Sequence, residues 1–295
     1  MKKEKEVKQP PLVSIGMPVY NGEKYIKDAL DSLLAQSFTN FELIISDNCS
    51  GDSTRKICEA YEKKDSRIRY IRQIQNLGAS CNFQFVFKEA VGNFYMWAAH
   101  DDLWDKNWLE SLIVVMNPDD LGARGLAVTI AECGKVLRVT KVTSFMRGEV
   151  VKAFLDKEEN SKAFYWYALF NKIQLEKVNL HLLKDDVYGA DSALIVHFVE
   201  NGNLRSIEST SQYYRQHDES LSGILSKGWF NCDRLAYHFF PFSYYAYSYK
   251  IISRKYKLML MLNMPIKYIN SQIFLLKKLF KIIQSKFILK KNEKI

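Results

Sequence analysis

The sequence predicts an α/β fold in which a mostly parallel sheet is covered by helices. Short apolar runs alternate with segments of helical periodicity through the first hundred residues. The intervening loops are short, which is typical of successive β-α-β units. The composition agrees, because 47% of the 295 residues are hydrophobic and 25% are charged. Such a chain is globular, which excludes the disordered and disulfide-scaffold classes.

Four strands and three helices are predicted in the first hundred residues. The strands are short runs rich in apolar residues, at 12–17, 41–46, 68–72 and 93–98. Asn21-Gly22 is a turn signal, and the helix after it carries apolar residues at helical spacing: Ile26, Ala29, Leu30 and Leu33. Asp52 and Ser53 are suited to cap a second helix, and a third spans about 79–90.

The elements after residue 105 are predicted to be less regular. Asn117-Pro118 stops a helix, and Gly134-Lys135 is a turn between two strands. The predicted order is a helix at 108–116, two strands within 122–142, a mostly helical stretch at 149–184, a helix at 187–200 and a strand at 204–214. Several aromatic residues are suited either to stack on a bound ligand or to fill the core: Trp104, Tyr165, Trp166 and Tyr167.

The net charge of +9 is concentrated at the C-terminal end. Residues 250–295 contain twelve Lys or Arg against Glu293 alone, whereas residues 12–249 are mildly acidic in balance. This is not the profile of a nucleic-acid-binding core, so no nucleic-acid partner is expected. The basic tail is predicted to meet an anionic partner, and a membrane surface is the first candidate.

An apolar seam at helical spacing runs through this tail: Ile266, Ile269, Ile273, Leu276, Phe280, Ile283 and Phe287. Lysines surround the seam almost without acidic partners, which favours an anionic membrane surface. A coiled coil or a helix packed on the body is the alternative.

The cysteines and the N-terminus bear on the compartment. The five cysteines are scattered and lack CxxC spacing, which fits a reducing environment. The first residues, MKKEKEVKQPP, have no apolar segment behind them, and no window of 18 apolar residues occurs. We expect a cytoplasmic protein that is peripheral on the inner face of the cell membrane.

Polar residues follow three of the predicted strands. Residues 18–22 (PVYNG), 46–52 (SDNCSGD) and 99–102 (AHDD) stand at these strand ends. Because ligands bind at the carboxyl ends of parallel strands, Asp47 and Asp101 are predicted to share one edge of the sheet. Each motif alone is also a common turn or helix cap. No GxGxxG follows the first strand and no P-loop occurs, which argues against dinucleotide oxidoreductases and P-loop enzymes.

The segment VSIGMPVYNGEKYIKDALDSLLAQSFTNFELIISDNCSGDST, residues 13–54, resembles the opening of family 2 glycosyltransferases, which have the GT-A fold. The resemblance continues through Asn76-Leu77-Gly78 and HDDLW at 100–104, and it is strong over 12–116. Two further segments resemble the family more weakly, GAD at 189–191 and YRQHDESLS at 214–222.

The resemblance implies a nucleotide-sugar donor, usually with UDP, and a Mn²⁺ or Mg²⁺ ion. The matching positions that hold the donor nucleoside are Pro18, Tyr20, Glu23, Asp47 and, in the second matching segment, Asn76. Asp47 is expected to accept a hydrogen bond from the ring N–H of the base.

The later motifs imply the metal ligand and the catalytic base. Asp101 matches the last acidic position of the family's DxD-like motif, the usual metal ligand. The first acidic position of that motif is Ala99 here, which leaves His100 and Asp102 as helpers at the donor. Asp191 matches the catalytic base. Arg215 and His217 match a late loop that closes over the diphosphate.

The predicted activity is a metal-dependent, inverting transfer of sugar to a hydroxyl of a glycan or lipid-linked glycan, in surface polysaccharide synthesis. The alternatives are a non-catalytic nucleotide-sugar-binding or scaffold protein, and a nucleotidyltransferase. The predicted domains are a charged arm at 1–11, a GT-A domain at 12–230 and a helical, aromatic and Lys-rich tail at 231–295. Within the GT-A domain, 12–116 is the nucleotide-binding half and 117–230 the acceptor half.

Overall fold

The computed structural model describes residues 10–155, 162–178, 190–217, 249–250, 252–269 and 272. Its first half alternates strands and helices as predicted. The elements are β1 (Val13–Val19), α1 (Ile26–Leu34), β2 (Phe41–Asp47), α2 (Thr54–Glu62), β3 (Ile68–Arg72), α3 (Ala79–Lys88) and β4 (Phe94–Trp97). The four strands pair in parallel in the order β3-β2-β1-β4, which confirms the predicted parallel sheet.

The second half extends this sheet with strands of both directions. Its elements are β5 (Leu103–Trp104), α4 (Trp108–Val115), β6 (Asp120–Ala131), β7 (Val136–Thr140), α5 (Val150–Leu155), a 3₁₀ helix (Lys162–Tyr167), β8 (Leu169–Asn171), α6 (Lys172–Glu176), α7 (Ala190–Asn201) and β9 (Asn203–Gln216). The full strand order is β3-β2-β1-β4-β8-β6-β9-β5, and β7 pairs with β6. We number a last helix, residues 254–269, as α8.

Helices cover both faces of the sheet because alternate strand residues are apolar on both sides. One buried cluster joins β1 to α1, α2 and α4, through residues such as Ile15, Leu30 and Trp108. The other cluster joins the opposite face to α3, α5, α7 and α8, through residues such as Trp97 and Phe198. The second cluster requires a glycine at position 16, since a Cβ at this position would collide with the Tyr95 hydroxyl.

The structure contains two short strands that the sequence did not predict. The described residues of the stretch 149–184 are mostly helical, as predicted, but Leu169–Asn171 forms β8, which lies between β4 and β6 and pairs with both. Leu103–Trp104 forms β5 and pairs with the last part of β9. The antiparallel pair β6–β7 is confirmed, with Gly134 in the left-handed region (φ 84°) at its turn.

Most of the aromatic residues that were predicted either to stack on a ligand or to fill the core belong to the core. Trp104, Tyr165 and Trp166 are buried, and Trp166 stacks on Trp97 with ring centroids 4.6 Å apart. Tyr167 is partly buried and packs against Tyr214. The domain boundary predicted near 225–235 lies outside the described residues. So does the tail seam beyond Ile269, whereas Ile266 and Ile269 are exposed on α8. None of the helices in the described part combines the length and hydrophobicity needed to span a bilayer.

Candidate active site

The carboxyl ends of several strands meet at one edge of the sheet. Val19 at the end of β1 pairs with Asp47 at the end of β2, and β4 lies on the other side of β1. Both β4 and β6 run antiparallel to β8, and β9 is parallel to β6, so the end of β9 reaches this edge too. The topology therefore brings Asp47, the 100–102 segment and Arg215 to one edge, which confirms the predicted shared edge of Asp47 and Asp101.

The loop after β1 (residues 20–24) and the loop after β2 (residues 48–53) form the donor-side loops, and hydrogen bonds lock them together. Backbone N–H groups of Asn21, Gly22 and Glu23 donate to side chains of the second loop and α2: Ser50 Oγ at 2.9 Å, Thr54 Oγ1 at 2.8 Å and Asp52 Oδ2 at 3.0 Å. In return, Ser53 N donates to Glu23 Oε2 at 2.8 Å. The predicted donor residue Glu23 therefore holds the loop geometry, with an exposed side chain.

Asp47 is fully buried, and both of its carboxylate oxygens accept hydrogen bonds. Oδ1 accepts from Ser50 N at 2.8 Å. Oδ2 accepts from the Tyr70 hydroxyl at 2.7 Å and from Arg72 Nη1 at 3.0 Å. Burial, together with this bond to Asp47, raises the pKa of Tyr70 well above its usual value, so the phenol stays protonated. A nucleobase that hydrogen-bonds directly to Asp47 would have to displace one of these partners. Arg72 is the partner that solvent can reach, because its side chain is partly exposed.

Sequence reasoning missed Tyr70 and Arg72. Both lie on β3 at positions i and i+2, so they share one face of the strand, and the register places Arg72 beside Asp47. The two-residue alternation in IRYIR could have identified them, because it places the phenol and the guanidinium on one face of β3, next to the end of β2.

The other predicted donor residues lie at the same edge in different environments. Asn76 is exposed, and its Oδ1 accepts hydrogen bonds from Asn48 Nδ2 and Gly78 N, both at 2.8 Å. Pro18 is buried within β1. Tyr20 is 49% exposed, so its ring is available to a planar ligand.

Asp101 is partly exposed and is held from two sides. Its Oδ2 lies 3.0 Å from His217 Nε2, and the side chain retains about 17% of its exposed surface. Its backbone carbonyl accepts a hydrogen bond from Arg215 Nε at 3.1 Å. The predicted metal ligand therefore meets two residues of the late motif, more than a hundred positions away in sequence.

Asp102 points the other way, into the protein. Gln212 Nε2 donates to its Oδ2 and Arg215 N to its Oδ1, both at 3.1 Å. Burial, and then the neighbouring Asp101 charge, raises the pKa of Asp102 well above its usual value. Since its oxygens are engaged inside the fold, Asp102 supports the edge from below.

Arg215 is buried and connects the late motif to α1. Its guanidinium donates to Asp28 Oδ2 at 3.1 Å and to the Glu132 carbonyl at 2.8 Å, in addition to its bond to Asp101. It also lies over the Tyr25 ring, 5.0 Å from the centroid. For a diphosphate contact, this guanidinium would exchange the largely exposed Asp28 carboxylate for the ligand.

His100 and His217 join the two parts of the site. A Cβ at Gly22 would lie 2.7 Å from His100 Cδ2, so the donor-side loops touch the 100–102 segment only because position 22 is glycine. Burial lowers the pKa of His100, although the Asp101 charge opposes the shift, and the ring is neutral at pH 7. The His217 and Tyr25 rings pack at 4.5 Å between centroids.

A buried polar chain lies beneath Asp102 and was also missed from sequence. The Tyr214 hydroxyl donates to Gln212 Oε1 at 2.9 Å, and Arg124 Nη1 donates to that hydroxyl at 3.1 Å. Arg124 is fully buried, with backbone carbonyls and aromatic rings around its guanidinium. The chain anchors Asp102 to the centre of the sheet.

Asp191 lies in the first turn of α7, and its side chain is outside the described residues. This helix packs on β9 and ends two residues before that strand begins, at the far edge of the sheet.

Across the described ranges, no group of three or more His, Cys, Asp or Glu side chains is arranged to hold a metal ion. A hard cation on a nucleoside diphosphate needs only one or two protein carboxylates, because phosphate oxygens and water complete its shell. The partly exposed Asp101 carboxylate, oriented by His217, suits that requirement. The residues present therefore fit a divalent ion that is shared with a diphosphate.

Polar and charged side chains thus gather where the parallel strands of an α/β sheet end, which is where such folds bind ligands. The sequence profile described as Glycosyl transferase family 2 matches residues 14–182, more than half of the chain. The chain belongs to this family.

The curated relatives cover different shares of the chain. One is TuaG of Bacillus subtilis, named for glycosyl transfer in teichuronic acid biosynthesis, which is 40% identical over 106 residues. That match spans 36% of this chain and 42% of TuaG. EpsJ, an uncharacterized glycosyltransferase of the same organism, is 26% identical over 72% of this chain and 64% of its own length.

Solved structures show the same GT-A fold at low identity. TarS of S. aureus, in complex with UDP-GlcNAc, superposes with a TM-score of 0.60 at 17% identity, over 87% of this chain and 72% of that one. The mannosyltransferase PcManGT from Pyrobaculum calidifontis, in complex with GDP-Man and Mn²⁺, gives 0.57 at 15% identity, over 90% and 74%. The predicted fold class is confirmed.

Proposed function

We propose that this protein is a metal-dependent, inverting glycosyltransferase that moves a sugar from a UDP-sugar to a hydroxyl of a glycan or lipid-linked glycan. The observation that carries the proposal is the meeting of two groups of residues at one edge. The donor-side loops contact the 100–102 segment through Gly22 and His100, and the late motif contacts the same segment through His217. Family membership and neighbours bound to nucleotide sugars support it.

The nucleoside is assigned to the donor-side loops. The exposed Tyr20 ring offers a stacking surface. Asp47 supplies either a direct acceptor for the N–H of the nucleobase or the support that orients Arg72 and Tyr70. These contacts are independent of the sugar, so they set donor affinity rather than the rate of transfer. The UDP-GlcNAc complex of TarS favours uridine, and the GDP-Man complex of PcManGT makes guanosine the alternative to test.

The diphosphate is assigned to Asp101, His217 and Arg215. A bound Mn²⁺ or Mg²⁺ would neutralise charge that develops on the leaving nucleoside diphosphate. Asp101 would hold the ion, and His217 fixes the orientation of that carboxylate from 3.0 Å. Arg215 fixes the backbone of Asp101, and its guanidinium adds positive charge to this edge.

Asp191 is proposed as the general base. The acceptor hydroxyl must lose a proton as it attacks the anomeric carbon, and a positioned carboxylate contributes about 10²–10⁴-fold to such a step. Asp191 matches the family's catalytic base in sequence, and it lies in the first turn of α7, the helix that leads into β9. Inversion requires no covalent nucleophile, and none is assigned.

The acceptor and the location are proposed from a relative and from the charge of the tail. TuaG is named for teichuronic acid biosynthesis, and its match covers 36% of this chain. The basic tail at 250–295 favours an anionic membrane on the cytoplasmic side, where a lipid-linked acceptor would be reached. We propose surface polysaccharide synthesis as the setting.

The test is a donor panel with the full-length protein. Release of the nucleotide from UDP-, GDP-, CMP- and dTDP-sugars is measured with Mn²⁺ and with chelator. The expected result is turnover of a UDP-sugar that depends on Mn²⁺ and is abolished in Asp101→Asn.

The matched control is Asp119→Asn, because Asp119 is an exposed acid just before β6, at the opposite edge of the sheet. This variant should keep wild-type turnover. Turnover that persists with chelator, or in Asp101→Asn, would remove the metal from the proposal. Binding of UDP-sugar without any turnover or transfer would favour the non-catalytic alternative.

A further inference from the structure

One face of α8 is apolar and exposed, although the opposite face is packed on the body. The exposed side chains include Leu258 at 66%, Leu262 at 68% and Ile269 at 55% of their maximal surface. Met261 and Ile266 are about half exposed on the same side, and we call these five residues the α8 outer face. The 3–4 residue spacing places them along one side of the helix.

The inner face of α8 fixes the helix to the body. Tyr256 and Leu260 are buried, and they belong to the core cluster that contains Phe198 of α7. Just before α8, the backbone N–H of Ser253 donates to Glu200 Oε2 of α7 at 3.3 Å. The outer face is therefore held in a defined orientation relative to α7.

The charged residues of α8 and of the segment just before it are all basic. Lys250, Arg254, Lys255 and Lys257 precede or lie within α8, and residues 249–269 contain no acidic residue. Arg254 and Lys255 are exposed. An apolar strip on a segment that carries only basic charges is complementary to an anionic lipid surface, because the acyl region of the bilayer accepts the strip and the headgroups pair with the cations. A protein partner would need its own acidic rim.

We propose that the α8 outer face docks on an anionic lipid bilayer. This proposal rests on the membrane contact included in the proposed function, and it names the surface of the folded body that makes that contact. The seam predicted from sequence began at Ile266 and ran into residues outside the described ranges. The outer face begins earlier, at Leu258, and is fixed to the folded body. Because α8 is packed on α7, docking through α8 would fix the orientation of α7 relative to the bilayer.

The experiment uses the full-length protein and sedimentation with vesicles. Vesicles of phosphatidylcholine and phosphatidylglycerol at a 1:1 ratio are compared with pure phosphatidylcholine. The double variant Leu258→Asp/Leu262→Asp is compared with the matched double variant Val114→Asp/Ile173→Asp. Val114 and Ile173 are 78% and 63% exposed on other helices, so both double variants replace exposed apolar side chains with the same charge.

The expected result is binding to the anionic vesicles that weakens with added salt. The α8 variant should bind at least ~10-fold more weakly, because two large apolar side chains no longer enter the bilayer. The matched variant should bind as the wild type does. Both variants should keep the wild-type unfolding midpoint, since all four positions are exposed.

Three outcomes would overturn the proposal. One is wild-type protein that stays in the supernatant, and another is equal binding by the two double variants. The third is a dimer that the α8 variant converts to a monomer without any effect of lipid, which would assign the face to a second copy of the chain. Nucleotide release from UDP-sugar without vesicles reports the donor site separately. Its absence would contradict the proposed function and leave the vesicle result standing.

Discussion

The ion pair at the edge opposite the site predicts how stability responds to pH. Asp120 at the start of β6 is fully buried, and its carboxylate accepts hydrogen bonds from Asn117 N at 2.8 Å, from Asn203 Nδ2 at 2.9 Å and from Arg205 Nε. Burial alone would raise the pKa of Asp120, but these bonds, with Arg205 foremost, outweigh it and lower the pKa. The folded state therefore favours the ionised carboxylate.

Asp120→Asn is expected to destabilise the protein by about 2–4 kcal/mol at pH 7. The amide keeps one oxygen acceptor and loses the charge, and its N–H₂ group faces a donor in either orientation: those of Asn117 and Arg205, or that of Asn203. Each hydrogen bond to a charged group contributes about 1.5–3 kcal/mol, and the Arg205 contribution is discounted because its side chain is 37% exposed. For a chain of this size, each kcal/mol lowers the melting temperature by roughly 2–4 °C.

The pH dependence has a definite sign. A depressed folded-state pKa means that the contribution of Asp120 is complete above its unfolded value, about 3.9, and is lost as pH falls through the folded value. The stability gap between wild type and Asp120→Asn should thus be constant from pH 8 to pH 5 and close below pH 4. Urea unfolding followed by tryptophan fluorescence at several pH values measures the gap.

The neighbouring exposed acid supplies the control. Asp119→Asn should match wild type at every pH. If Asp120→Asn were as stable as Asp119→Asn at pH 7, or if its deficit were unchanged at pH 3, the reasoning from the buried ion pair would be refuted.

Two further predictions concern the proposed active site. Asp191→Asn should bind UDP normally yet transfer sugar at least ~10²-fold more slowly, as loss of a general base requires, and a weakened UDP affinity would instead assign it to the donor. Asp47→Asn should raise the Kd of free UDP about tenfold or more in calorimetry, because the charged contact through or beside Arg72 is lost. An unchanged Kd would return Asp47 to a purely structural role.

The first half of the fold was predictable because its signals are local. The apolar runs and helical periods of β1 to β4 are strong, and their alternation implies parallel pairing. The three-residue strand β8 was not predictable, because its conformation is imposed by pairing with β4 and β6. A segment as short as Leu169–Asn171 has no period of its own.

The candidate site was predictable as a set of residues, and the partners of those residues were not. Strand ends and motif resemblance identified Asp47 and Asp101, and the topology brings both to one edge. The burial of Asp102 depends on pairing between β5 and β9, about 110 positions apart in sequence. The buried Arg124 has no sequence signature, since its acceptors are mostly backbone carbonyls.

The carboxylates at the two edges of the sheet differ in burial and pairing. We expect the buried one to matter for stability and the partly exposed one for function. At the edge where β6 begins, Asp120 is buried and fully paired, so its charge contributes to folding. At the opposite edge, Asp101 keeps part of its surface open while its neighbour Asp102 is turned inward and anchored. Asp101 lies in a turn and Asp102 stands directly before β5, so one carboxylate is committed to the core while its neighbour keeps part of its surface open. Substitutions at Asp120 should therefore lower stability without changing turnover per folded molecule. Substitutions at Asp101 should lower turnover without changing stability.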